Sequence, residues 1–268
     1  MTKIVVVTGT NTDVGKTVAT ASAIAATWAR APHLRVGLIK PAQTGEPAVD
    51  AHSLGYRERG DHGDVAIIRG LLGDTPATPA RLPVWEGIRY PEPLAPDMAA
   101  RRAGMELWDA AQFADVIENA AQDVDVLFVE GAGGLLVGLG EEPNGKPTTL
   151  VEIAQEIAQR SSSYEVLVLL VSQPDLGMLN QCVLTSRELQ RAGLSLAGIV
   201  FGTWPDTPDL PMQLNAAEVR RLTGTPVIGK IPSGVGKLLA QQPESVAEAR
   251  DQWWRLLPWC DAGNTTTE

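Results

Sequence analysis

An α/β fold, a mostly parallel central sheet flanked by helices on both faces, is what this sequence predicts, and three observations predict it. Strand and helix signals alternate almost from one end of the 268 residues to the other. The strand candidates are near-continuous Val/Leu/Ile runs rather than apolar/polar alternations, the pattern of strands buried on both faces. The first of them, Val5-Val6-Val7-Thr8, breaks into a Gly/Thr-rich turn and re-emerges as a helix with Gly15-Lys16-Thr17 at the junction. Strand, glycine turn and helix start in that order are the context of a phosphate-binding loop.

The elements follow in order. The first helix spans about Lys16 to Arg30, and a second strand, Arg35–Lys40, is stopped by Pro41. From Ala42 to Leu107 the chain is rich in Gly, Pro and charge, interrupted by a short helix around Asp64–Arg69. Pro76, Pro79, Pro83, Pro91, Pro93 and Pro96 are expected to keep about twenty residues irregular, a length of loop that is usually functional. Regularity returns with a helix near Asp109–Gln122, a strand Val124–Glu130, a helix Leu150–Gln159 and a strand Val166–Val171. A helix Leu179–Ala192, a strand Leu196–Gly202, a helix Leu214–Leu222 and a strand Pro226–Ile231 complete the series. Trp253, Trp254 and Trp259 are expected on a C-terminal helix packed on the sheet, and 261–268 as a frayed tail. No repeat or linker divides the chain, so residues 1–260 are read as a single domain.

Composition narrows the function. A net charge of −10 argues against nucleic acid or an anionic membrane as the main partner. Cys182 and Cys260 make no disulfide framework, no apolar run is long enough to span a bilayer, and no leader precedes the first strand. The expectation is a cytoplasmic protein.

Ligands of open parallel sheets bind beyond the carboxyl ends of the strands, and polar, Gly-rich segments gather there. Lys16 supplies a mobile charge to a phosphate and Thr17 a hydroxyl to magnesium. Five residues separate Gly9 from Gly15 where four are usual, so the loop is a variant. Glu130, at the tip of an apolar strand and followed by Gly131-Ala132-Gly133-Gly134, is placed to help hold magnesium on the nucleotide. Asp64 is a candidate for the same ion, with Asp61 its nearest rival. Lys40, expected beside the first strand, offers a second fixed cation for charge stabilisation during phosphoryl transfer.

Taken together, Gly9–Thr17, Lys40-Pro41-Ala42-Gln43-Thr44-Gly45, Glu130–Leu135 and Gly177-Met178-Leu179-Asn180 resemble the dethiobiotin synthetases, members of the P-loop NTPase superfamily. The resemblance implies an ATP- and Mg2+-dependent cyclo-ligase acting on 7,8-diaminononanoate and CO2 (or bicarbonate), working as a homodimer with the substrate site at the interface. It implies Lys16 and Lys40 as catalytic cations and Thr17, Asp64 and Glu130 around the metal. Asp13, Val14, Gly15, Lys16, Thr17, Val18, Glu130, Gly131, Ala132 and Gly133 then hold the nucleotide, with Gly202, Thr203 and Pro232 near its base. Thr12, Lys40, Thr44, Gly177, Met178, Leu179 and Asn180 belong to the substrate site, the last four from the opposite subunit.

The departures are Asn11 for a common Asp, Gln181 for a common His, and Gly202-Thr203 for an Asn-Asp pair that reads adenine. The last extends the expected co-substrates from ATP to other nucleoside triphosphates. Rival readings on the same scaffold are an amide-forming ligase of the cobyrinic acid type, a partition or division-site ATPase, and a non-catalytic nucleotide binder. The first needs a glutaminase domain, and the second an extra lysine early in the loop, where this chain reads Gly9-Thr10-Asn11-Thr12.

Overall fold

A computed structural model describes residues 1–47, 63–73, 82–236 and 251–260. Seven parallel strands form the central sheet in the order β3 (Val84–Tyr90), β2 (Val36–Thr44), β4 (Val126–Gly134), β1 (Thr2–Gly9), β7 (Tyr164–Ser172), β8 (Ser195–Trp204), β9 (Val227–Pro232). A two-residue hairpin, β5 (Gly140–Glu141) with β6 (Pro147–Thr148), stands apart. The central strands are buried along almost their whole length, as their aliphatic runs require.

Helices cover both faces. On one lie α1 (Lys16–Arg30) and α2 (Gly63–Leu71), whose Ala23, Ile24, Val65 and Ile68 pack on Val5, Val7, Leu38 and Phe128. The other carries α3 (Pro96–Ala103), α4 (Ala110–Ala121), α5 (Leu150–Arg160) and α6 (Met178–Arg191), with α7 (Leu210–Thr223) packed against α6. Asp109 and Thr149 close capping boxes on α4 and α5, which fixes where those helices begin. Among the described residues no helix is long and apolar enough to cross a membrane.

Three expectations change. Pro41 does not stop β2, which runs on to Thr44. The partner opposite is Gly87, where a Cβ would lie 2.1 Å from the Pro41 carbonyl oxygen, so a residue without a side chain lets the proline stay in the strand. The proline-rich stretch is not irregular throughout. Pro83 and Pro91 bracket the fully buried edge strand β3, and Pro96 opens α3 at a position where its missing N–H costs nothing. Pro76, Pro79 and Asp61 fall outside the described residues. Finally, β2 is not beside β1, because β4 lies between them, and Lys40 reaches the centre of the sheet across β4.

The C-terminal tryptophans pack on the sheet as expected, but in the described part of their segment only residues 251–252 are helical. Trp254 donates from its indole N–H to Ser22 Oγ and Trp259 to Thr27 Oγ1, each at 2.8 Å, so two buried hydroxyls of α1 find partners. Trp259 also meets Phe128 edge to face at a centroid separation of 5.4 Å. The same segment borders β9: the Lys230 N–H donates to the Trp253 carbonyl and the Arg255 N–H to that of Ile228, which satisfies an edge otherwise open to pairing. Trp259→Ala is expected to lower the unfolding free energy by about 3–5 kcal/mol. A urea titration checks it; a loss under about 1 kcal/mol, the scale of an ordinary surface change, would mean the segment does not support α1.

Candidate active site

The loop between β1 and α1 is fixed by backbone geometry. Asp13 takes φ 58°, a left-handed conformation that Asp tolerates better than most residues, and Gly15 takes φ 92° at the helix N-cap. No side chain caps α1, so its first N–H groups stay available to an anion. At Gly9 a Cβ would lie 2.7 Å from the Asn11 carbonyl and 3.0 Å from Lys16 Nζ, which explains the glycine. Lys16 Nζ in turn donates to Asn11 O at 3.0 Å and lies folded over the loop.

Glu130 stands at the centre. It is 1% exposed and accepts hydrogen bonds from the hydroxyls of Thr17, at 3.2 Å, and Thr20. Lys40 Nζ approaches it at 3.4 Å while donating to the Gly131 carbonyl at 2.9 Å and pairing with Asp64 at 2.6 Å. Asp64 is held in place by Gln43, whose Oε1 accepts from the Asp64 N–H at 3.1 Å. Gly63, at φ 72°, leaves no room for a Cβ against that side chain.

The two lysines respond to this setting in opposite directions. Burial drives the Lys16 pKa down and the nearby Lys40 charge adds to it, outweighing the attraction of Glu130, Asp64 and Asp13. For Lys40 burial also works against the ammonium, but Glu130 and Asp64 more than offset it and hold the pKa above the ordinary lysine value. Lys40 is therefore a fixed cation. Lys16 is a strained one that an incoming phosphate would relieve.

Both lysines line one cleft of about 370 Å3 together with Thr12, Thr17, Thr44 and Asp64. Of the residues expected around the nucleotide, Asp13, Gly15, Val18, Gly131, Ala132 and Gly133 line it too, whereas Val14 and Glu130 do not. A hydroxyl and two carboxylates are the hard oxygen donors that magnesium takes, usually alongside water and phosphate oxygens. Thr17 and Glu130 already touch, and Asp64 faces the same space through Lys40, so the residues fit that ion.

Gly202 meets the loop from the far side. A Cβ there would lie 2.1 Å from the Val14 carbonyl oxygen, and one at Gly15 would lie 2.7 Å from the Gly202 carbonyl, so the two backbones are in direct contact. Thr203 follows, and Trp204 is registered with Pro232 on the neighbouring strand. Gly177, Met178, Leu179 and Asn180 do not line the lysine cleft. They open α6 with Gly177 left-handed at φ 97°, Met178 buried in the core and Asn180 exposed. Further along, α6 does approach the loop: Leu184 and Glu188 line a groove of about 340 Å3 with Thr12, Leu136 and Val137. Thr12 borders this groove and the cleft alike.

Two contributors were missed from sequence. Thr20 lies one helical turn beyond Lys16 and three residues after Thr17, a spacing that puts it on the same helix face. Gln43 carries no such signal, since its contact is to a helix 21 residues away.

A family model described as an AAA domain matches residues 3–235. The chain is 40% identical to an ATP-dependent dethiobiotin synthetase of Rhodococcus jostii, over 94% of both chains. It is 39% identical to one of Streptomyces coelicolor, over 93% of this chain and 91% of that one, and 37% identical to one of Corynebacterium diphtheriae, over 88% and 90%. Among solved structures, a ParA family ATPase from Chlorobium tepidum superposes with TM-score 0.54 at 15% identity, covering 97% of each chain. The septum site-determining protein MinD from Pyrococcus horikoshii, complexed with Mg-ADP, does so with TM-score 0.52 at 14% identity, covering 97% and 95%. At those identities the likeness is one of fold.

Proposed function

Since the chain belongs to the dethiobiotin synthetase family, a family of ATP-dependent ligases in biotin biosynthesis, we propose that the two-lysine cleft is where it closes the ureido ring of dethiobiotin. The observation that carries this reading is Lys16 and Lys40 lining one cleft, with Glu130 and Asp64 beside Lys40.

The chemistry asks for charge rather than a protein nucleophile. One amine of 7,8-diaminononanoate adds to CO2 and loses a proton, giving a carbamate. The carbamate oxygen takes the γ-phosphoryl group of ATP and releases ADP. The second amine then attacks the carbonyl of the mixed anhydride and loses a proton, closing the ring and expelling phosphate. In this reading Lys16 follows the transferring phosphoryl group, and Lys40 neutralises the carbamate and its phosphorylated form. Thr17, Glu130 and Asp64 hold Mg2+, which supplies further neutralisation of the phosphate oxygens when bound. Thr12 and Thr44 border the diamine. The groove beyond Thr12, lined by Leu136, Val137 and Leu184, suits the alkyl chain. Leu136, Leu176 and Leu184 are all more than half exposed, which supports a homodimer in which Gly177–Asn180 of the second copy meets the distant substrate carboxylate. The enzyme works in the cytoplasm in this reading.

The test is phosphate release with and without 7,8-diaminononanoate and bicarbonate. Release that needs both supports the proposal, while release indifferent to the diamine would reject it in favour of a nucleotide switch.

Base selectivity is a separate expectation. No side chain can occupy position 202 without displacing the loop, so none reads the base from there. Sites built to hydrogen-bond a substrate reject its analogues by about 10⁴–10⁵, and without such contacts discrimination falls to about a hundredfold or less. Turnover with ATP, CTP, GTP and UTP should therefore stay within about a hundredfold in kcat/KM. A strict preference for ATP would contradict this.

A further inference from the structure

Most basic side chains of the described residues are matched to carboxylates: Lys3 to Glu165, Arg35 to Asp125, Arg101 to Asp97 and Glu141, Arg160 to Asp115, Glu118 and Glu156. Lys230, on β9, is not. Its ammonium stands over the Trp204 ring, 3.7 Å from the centroid. It lines a cleft of about 380 Å3 between α7 and the 251–260 segment, where Gln213 forms part of one wall and Gln252, Trp253 and Arg255 the other. No Asp or Glu is among the described residues that line it.

Two basic residues, Lys230 and Arg255, thus line one concave space in a chain of net charge −10. Burial, and then the charge of Arg255, lower the Lys230 pKa. Lys16 is the other described lysine whose pKa is lowered, and it serves the phosphate loop. Two like charges facing a shared recess repel each other, and an anion between them reverses the sign of the interaction. The carboxamides can donate to its oxygens, and the indole offers a flat apolar surface to whatever the anion is attached to.

We propose that this cleft is a second anion-binding site, distinct from the phosphate loop. It takes a small molecule bearing a phosphate or carboxylate group, with Lys230 and Arg255 on the oxyanion and Trp253 against its remainder. The site shares no lining residue with the two-lysine cleft.

The test is calorimetry on the full chain with the phosphate loop saturated by Mg-ADP, titrating inorganic phosphate and, separately, hexanoate. At least one should bind saturably, and Lys230→Gln and Arg255→Gln should each weaken it about tenfold or more, the scale of a lost charge-assisted hydrogen bond. ADP affinity and the unfolding midpoint of both variants should match the parent. Binding of phosphate alone assigns a phosphate-bearing ligand, and of hexanoate alone a carboxylate. Saturable binding of neither, or equal affinity in the parent and both variants, would overturn the proposal.

Discussion

Lys40→Ala is expected to lower turnover by a factor of about 10²–10³, the loss seen when one preorganised charge-stabilising donor is removed from a reaction centre. Lys40 is 3% exposed and held by three oxygen acceptors, from Asp64, Glu130 and Gly131, so its position needs no rearrangement as charge develops. ATP affinity should change far less than turnover, because the phosphate loop and Lys16 remain. The substitution also leaves two carboxylates facing each other without their cation, and breaking a buried pair destabilises by about 3–5 kcal/mol. Unfolding must therefore be followed alongside activity. A folded variant with near-parental turnover would remove Lys40 from the mechanism.

Glu130→Gln is expected to have the second-largest effect. It keeps the shape of the side chain and an acceptor for Thr17 or Thr20, but removes the negative charge beside Lys40 and, in the proposed reading, a hard ligand for the metal. Turnover should fall by about 10² or more, and half-saturation by Mg2+ should move up by at least about tenfold. Direct binding of Mn2+ followed by electron paramagnetic resonance should weaken in parallel, independently of catalysis. A variant with a parental metal titration would show that Glu130 serves only to anchor Lys40.

How much of this was readable beforehand depended on whether the information was local. The Val/Leu/Ile runs of β1, β4 and β7 could only be buried strands, and Gly15-Lys16-Thr17 could only sit at a strand-to-helix turn. Glu130 stood out because a carboxylate ends an otherwise apolar run of residues, although β4 itself continues past it to Gly134. β3 did not, because Glu86, Gly87 and Arg89 interrupt it and prolines bracket it. Its burial depends on Arg89 donating to Glu86 at 2.8 Å, a pairing across three positions that no strand pattern announces. The placement of Lys40 was misjudged because the position of β4 between β2 and β1 is set by topology, which local sequence does not encode. The grip of Trp254 and Trp259 on α1 was invisible for the same reason, since each bond spans 232 positions.

That span has a consequence for how the protein is made. The loop after β1 and the helix α1 leave the ribosome well before the indoles that close over the flank of that helix, which follow 232 positions behind their partners. Contacts of such long sequence separation form slowly, because a very large loop must close before they contribute anything. During synthesis the alanine-rich flank of α1, with Ser22 and Thr27 on it, waits for these indoles until Trp254 and Trp259 have emerged. A nascent chain of this enzyme thus carries α1 exposed on one side, a surface for chaperones to hold until those indoles arrive.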